Sequence, residues 1–378
     1  MSLRRAGIIV IAAAMLAVVS PMGHAVADQL VPGASPGTVV HSEPLPEQLW
    51  IEGTGEARRL TYWTRTSEDQ PALSTGAVFI PAGTPPSGGW PVVSWEHGTV
   101  GLGDDCAPST AGRSRNNQAY LATWMRQGYA IVATDYIGLG TPGTHAYLDG
   151  RAEAHAAIDM VRAARAGDDS LSSKWVAIGQ SQGGGAAVFT ASLATGYAPD
   201  LDYRGAVATG PASGIVDVAT LLGPGTPPIE NPYLIAYIAY TIAGLKAARP
   251  SVDMDPYLSP LGRELATAAH TLCFGPMADR VQGVSIDELF SRPLADGDFI
   301  ATARSVMDIP LTGYDRPLFI GQGAADTDIP APLTAKLVAD LVSRGFRPEV
   351  HIYPGEDHST TVAASLSDSI PFVARLFA

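Results

Sequence analysis

The sequence predicts an α/β fold: a mostly parallel central sheet, helices on both faces, and a helical cap inserted over the sheet's C-terminal edge. Three observations carry this. Strand-type apolar runs alternate with amphipathic helical stretches from Pro91 to Gly210. The alternation stops between Pro211 and Arg316 and resumes at Pro317. At its centre, Gly179-Gln180-Ser181-Gln182-Gly183 joins a short apolar run, Lys174–Ile178, to a small-residue stretch that can begin a helix against a sheet.

Before any of this, Arg4 and Arg5 precede an apolar stretch from Gly7 to Ser20 and an Ala25-Val26-Ala27 cleavage signal. Residues 1–27 read as a secretory signal peptide. The apolar stretch is short for a membrane span, and the arginine pair lacks the rest of a twin-arginine pattern. The expected division is residues 28–210 and 317–378 as core and 211–316 as cap. Of the 378 residues, 24 are Lys or Arg against 37 Asp or Glu, a formal charge of −13 that argues against nucleic acid and anionic membranes as partners. Losing the signal removes two arginines and sharpens that balance. The two cysteines, Cys106 and Cys273, are outside any metal-like cluster. In an exported chain the default is one disulfide.

In chain order, residues 28–50 are punctuated by Pro and Gly and read as a surface wrap. Strands follow at Ala57–Thr66 and Gly76–Ile80, then at Pro91–Trp95, which runs straight into Glu96-His97-Gly98-Thr99. A helix is expected over Asn117–Gln127, with Tyr120, Leu121, Trp124 and Met125 on one face and Gly128 ending it. Tyr129–Thr134 is a strand leading into Asp135-Tyr136-Ile137-Gly138-Leu139-Gly140, and Ala152–Arg165 an amphipathic helix. After the serine comes the strand Tyr203–Thr209. The inserted block offers helices at Pro232–Ala248, apolar almost all round, at Leu261–Leu272 and at Ile286–Ser291. The core then resumes with the strand Pro317–Ile320, the helix Ala331–Arg344, the strand Glu349–Tyr353 and a helix over Thr360–Phe377.

The glycine-flanked serine needs this context, because forty glycines make chance G-x-S-x-G matches common. Between a strand and a helix, the turn lifts the Ser181 hydroxyl above the sheet. The N–H of Gln182 then points at the place where an oxyanion would form. A serine nucleophile needs a base, and the base needs an acid to hold its tautomer. Past the strand Pro317–Ile320 stand Asp326 and Asp328; Asp326 is preferred, and Asp328 suits a helix cap. Past the last strand, His358 sits in a Gly-containing loop where the base belongs. The loop after Pro91–Trp95 offers Gly98 for close backbone approach and the Thr99 N–H as second oxyanion donor. His97 reads as a loop-ordering residue.

Trp95-Glu96-His97-Gly98-Thr99-Val100-Gly101, Asp105-Cys106-Ala107-Pro108-Ser109 and Asp135–Gly140 resemble the corresponding segments of the secretory lipase family of α/β-hydrolases, and the likeness runs from Pro32 to His358. The resemblance implies an α/β-hydrolase fold and a secreted serine ester hydrolase, lipase or esterase, with a helical cap and neither metal nor cofactor. It supports Ser181, Asp326 and His358 as the triad. It implies small-molecule or lipid esters as substrates, triacylglycerols among them, and a disulfide from Cys106 to Cys273 tying a core loop to the cap. Gly98, Tyr136 and Tyr237 are the expected substrate-binding positions. The helix Pro232–Ala248 is either a plain buried cap helix or part of an acyl pocket. An acyltransferase or peptidase using the same triad is the first rival reading, and a non-catalytic binding protein on the same scaffold is the second.

Overall fold

Nine strands form a single sheet in the computed structural model, which describes residues 34–378; the expected signal peptide lies outside them. The strands are β1 (Val39–Pro44), β2 (Thr54–Arg65), β3 (Pro71–Pro81), β4 (Trp90–Glu96), β5 (Ala130–Ile137), β6 (Leu171–Gln180), β7 (Asp202–Thr209), β8 (Leu318–Gly323) and β9 (Glu349–Tyr353). Their order is β1-β2-β3-β5-β4-β6-β7-β8-β9. β1 pairs antiparallel with β2, β2 with β3, and β3 with β5; every pair from β5 through β4 to β9 is parallel.

The parallel half explains its own sequence. Both faces of β6 are covered, so its run is continuously apolar rather than alternating. Trp175 and Ala177 pack on one face with the helices Gly150–Gly167 and Gln182–Tyr197; Val176 and Ile178 pack on the other with Arg115–Arg126 and Leu366–Phe377. The helices in chain order are α1 (Pro108–Ala111), α2 (Arg115–Arg126), α3 (Gly150–Gly167), α4 (Gln182–Tyr197), α5 (Ile215–Ala219), α6 (Pro232–Ala248), α7 (Pro260–Ala269), α8 (Phe274–Arg280), α9 (Phe299–Met307), α10 (Ala331–Ser343), α11 (Thr361–Ala364) and α12 (Leu366–Phe377).

Helices α5 to α9 all lie between β7 and β8 and share a hydrophobic cluster of their own, with Ile235, Tyr240, Leu265, Met277 and Phe299 in it. Leu102, Tyr147 and Leu148, from the loops after β4 and β5, join that cluster, so the inserted block packs on the loops at the C-terminal edge of the sheet. Helix α6 starts at Pro232 behind Asn231, whose side chain accepts from the N–H groups of Tyr233 and Leu234. Its apolar circumference follows from burial of eight of its residues, Ile235 to Leu245, on more than one side.

Four local expectations differ from the structure. The surface wrap contains β1, an edge strand whose mostly exposed Val-Val-His-Ser-Glu-Pro sequence has no buried face to announce it. Ile286–Ser291 is a single 3₁₀ turn, Ile286–Leu289; its Ser285–Glu288 capping box reads as a helix start, but Pro293 follows too soon for one to grow. Helix α7 stops at Ala269 because the chain turns to reach Cys273. The last helix is broken into α11 and α12 at Ser365.

Candidate active site

Parallel register brings the C-terminal ends of five strands to one rim: Glu96 faces Gly179, Gln180 faces Thr209, Thr209 faces Gly321, and Gly323 faces Tyr353. The chain reverses direction of travel across the sheet at β4, with β5 on one side and β6 on the other. A crevice opens at such a point in doubly wound sheets. The loop after β4 and the turn after β6 meet there.

Ser181 holds φ 60° and ψ −121°, a region that non-glycine residues avoid. The surroundings enforce it. The Ser181 N–H donates to the Thr209 carbonyl at 3.0 Å, and its carbonyl accepts from Gly185 at 3.0 Å and Ala212 at 3.1 Å. The flanking glycines are sterically required: a Cβ on Gly179 would sit 1.9 Å from the Gly183 carbonyl oxygen, and one on Gly183 would sit 1.8 Å from that of Glu96.

Asp326 and His358 meet on the same rim. His358 Nδ1 donates to Asp326 Oδ2 at 2.8 Å. Oδ1 of Asp326 accepts from the N–H groups of Asp328 (2.9 Å) and Ile329 (2.8 Å), and Oδ2 also accepts from Gln322 Nε2 at 3.2 Å. The carboxylate is fully buried, and four donors fix its plane. Of the two aspartates past β8, Asp326 is the one bonded to His358; the side chain of Asp328 accepts from Tyr237 Oη at 3.2 Å. His358 Nε2 is buried and makes no hydrogen bond among the described residues. The corner Thr209–Gly210 joins this pair to the serine: Thr209 holds the Ser181 N–H, while a Cβ on Gly210, at φ +49°, would stand 3.1 Å from His358 Nδ1 and 3.2 Å from Asp326 Oδ2. Gln180 Nε2 donates to the His358 carbonyl at 3.3 Å, a second tie.

The loop after β4 lies against the serine. A Cβ on Gly98 would approach Gln180 Oε1 to 2.8 Å and Ser181 Cβ to 3.5 Å. His97 Nδ1 donates to the Gly98 carbonyl at 2.7 Å, and burial lowers the His97 pKa, so the ring is a neutral loop brace. Val100 accepts from the Phe274 N–H at 2.9 Å, Gly101 forms a β-bridge with Cys273, and Cys106 is disulfide-bonded to Cys273. Thr99 is partly exposed, and its hydroxyl is hydrogen-bonded to Tyr147 Oη at 2.6 Å. Gln182 opens α4, where the first N–H groups have no acceptor one turn back.

Two expected substrate positions fall differently. Tyr237 is half-buried at the edge of the site, with its ring stacked on Phe274 at 5.0 Å. Tyr136 is completely buried, at φ 69°, and donates its hydroxyl to the His97 carbonyl at 3.1 Å; it stands behind the loop and presents nothing to solvent. Sequence reasoning passed over a set of buried polar residues here: Gln322 under Asp326, and Tyr147, His145 and Glu153 under the loops. Burial pushes the Glu153 carboxyl up to about 8 and the His145 imidazole down to about 3. Each stands alone in an ordinary strand, helix or loop sequence, so no spacing marks it.

The family model described as secretory lipase matches residues 110–254. This chain is similar to the secretory lipases. The matched stretch contains Ser181 and Gln182; Asp326 and His358 lie beyond it. Lipase A of Moesziomyces aphidis is 24% identical over 371 residues, spanning 90% of this chain and 76% of that one. Among solved structures, Candida antarctica lipase A superposes with a TM-score of 0.75 at 21% identity, over 91% of this chain and 82% of the other. The rice cell wall degrading esterase LipA of Xanthomonas oryzae gives 0.69 at 21% identity, over 90% and 97%. The fold is that of the α/β-hydrolases.

Proposed function

We propose that this chain is a secreted serine hydrolase of carboxylic esters, acting through an acyl-enzyme on Ser181. The observation that carries the reading is the strained Ser181 turn on the same rim as a buried His358–Asp326 pair whose Nε2 is uncommitted. His358 takes the serine proton as Oγ attacks the ester carbonyl, and Asp326 holds Nδ1–H so that Nε2 is the basic nitrogen. The N–H groups of Gln182 and Thr99 receive the oxyanion. His358 returns the proton to the departing alcohol, and water cleaves the acyl-enzyme by the same steps in reverse roles.

The secretory lipase match and the lipase and esterase neighbours support lipid or smaller esters as substrates. Export is supported by the signal-type N-terminus and by the Cys106–Cys273 disulfide. Among the described residues no helix is long and apolar enough to cross a membrane. The test is hydrolysis of p-nitrophenyl esters of increasing acyl length, with Ser181→Ala as control and fluorophosphonate labelling of the serine. The expected result is turnover and labelling that Ser181→Ala abolishes; full activity in that variant would sink the reading.

A further inference from the structure

Glu153 lies in the first turn of α3, buried to 2% exposure, and touches neither serine nor histidine of the triad. One of its oxygens, Oε1, accepts two hydrogen bonds that lead in different directions. The first comes from Gln182 Nε2 at 2.7 Å. The second comes from the Leu148 N–H at 3.1 Å, in a turn where Leu148 itself is held at φ 64°. The residue before it, Tyr147, is the one whose hydroxyl meets Thr99 Oγ1. A single carboxyl oxygen therefore anchors the residue that carries one oxyanion N–H, and the turn that braces the residue carrying the other.

Both N–H groups of the Gln182 amide are used in this arrangement. One N–H goes to Glu153 Oε1, and the other to His145 Nε2 at 2.8 Å. His145 must then be the neutral tautomer with its proton on Nδ1, which donates to the Ile137 carbonyl at 2.9 Å. His145 thus supplies no positive charge to Glu153, although the two side chains approach to 3.7 Å. The other titratable groups facing Glu153 are Asp149 from its own N-terminal turn, Glu96 from β4, Tyr136 from β5 and Tyr147 from the loop. All of them are acids, so nothing in that set compensates an ionised carboxylate.

We propose that Glu153 is the positioning residue that holds both halves of the oxyanion hole in register, and that it does so as a neutral carboxylic acid. The inference rests on the serine-hydrolase reading above. A neutral Glu153 leaves the space behind the two donors uncharged. An ionised one would add a buried negative charge behind the place where the substrate carbonyl becomes negative, and would weaken the transition-state stabilisation that the donors provide. The upward shift of its ionisation to about 8 places this loss on the alkaline side of neutrality.

The experiment compares wild type, Glu153→Gln and Glu153→Ala with p-nitrophenyl butyrate from pH 6 to 9.5. Circular dichroism follows the fold, and fluorophosphonate labelling counts reactive serines. At pH 7, Glu153→Ala is expected to lose about tenfold or more in kcat with KM within about threefold, and Glu153→Gln to recover most of that rate. Wild-type kcat falls as pH rises through about 8, and the fall is absent in Glu153→Gln. Retention of kcat in Glu153→Ala, equal losses in both variants, or superimposable pH profiles for wild type and Glu153→Gln would each overturn the proposal. If Glu153→Ala does not fold, the two remaining profiles decide. A wild-type protein that neither turns over ester nor labels refutes the hydrolase reading and takes this inference with it; failure of this inference alone leaves labelling of wild type intact.

Discussion

At the scale of single residues, the two aspartates past β8 make a sharp contrast. Asp326 accepts from His358, Gln322 and two backbone N–H groups, whereas Asp328 meets the cap through Tyr237. Asp326→Asn should cost about 10³- to 10⁴-fold in kcat, because the amide favours the wrong tautomer of the base. Asp328→Asn should cost only a few-fold, and steady-state kinetics on one ester tells them apart. Glu153 gives a second residue-scale expectation, this time on stability. Below about pH 4.5 its carboxyl is protonated in both the unfolded and the folded chain. Between there and about 8 the unfolded chain releases a proton that the folded chain keeps, so folding loses free energy as pH rises. The melting temperature of Glu153→Gln should therefore rise relative to wild type from pH 5 to pH 8, by a margin that levels off above; scanning calorimetry at several pH values measures it. The Ser181 turn and the meeting of Asp326 with His358 were legible in the sequence because glycine spacing and strand order mark their places. Glu153 and Gln322 were not: the hydrogen bond from Gln182 to Glu153 joins separate elements, and that from Gln322 to Asp326 depends on how the loop after β8 folds back on its strand.

At the scale of elements, the sequence was most legible where an element is buried on a defined face and capped by a recognisable residue. Helix α6 starts and ends at the expected residues, and β6 is longer than its apolar run only at the ends. Strand β1 and the short helices α8 and α9 went unread. The first is an edge with polar residues on both sides, and the others are too short for periodicity to stand out. The segment most exposed to perturbation is the one following β4. Its Val100–Phe274 hydrogen bond, Gly101–Cys273 bridge and Cys106–Cys273 disulfide hold Thr99 against the cap. Replacing both cysteines by serine should lower stability by about 2–5 kcal/mol, read by denaturant unfolding. It should also lower kcat, because the segment carrying Thr99, the proposed oxyanion donor, loses its strap; unchanged kcat in the folded variant would mean the hydrogen-bonded bridge suffices alone.

At the scale of the whole molecule, the alternation of strands and helices made the α/β class legible, and its interruption marked where the helical block sits. How that block covers the rim was not legible, since it depends on side chains such as Tyr147 and Tyr240 meeting from distant parts of the chain. The charge of −13 has a measurable consequence at this scale. Hydrolysis of esters presented on anionic mixed micelles should be slower than on neutral ones at low salt. The difference should shrink at physiological ionic strength, where the screening length falls to about 8 Å.

The 167-residue span between Cys106 and Cys273 also sets an order of events during synthesis. Cys106 emerges from the ribosome together with the loop that carries Thr99, yet its partner follows only after the serine turn, β7 and most of the inserted helices have been made. In a reducing cytoplasm the pair stays open. The Ser181 turn can then be in place while the strap beside it is still unfastened, and an exported chain would receive its last fastening only on reaching an oxidising compartment.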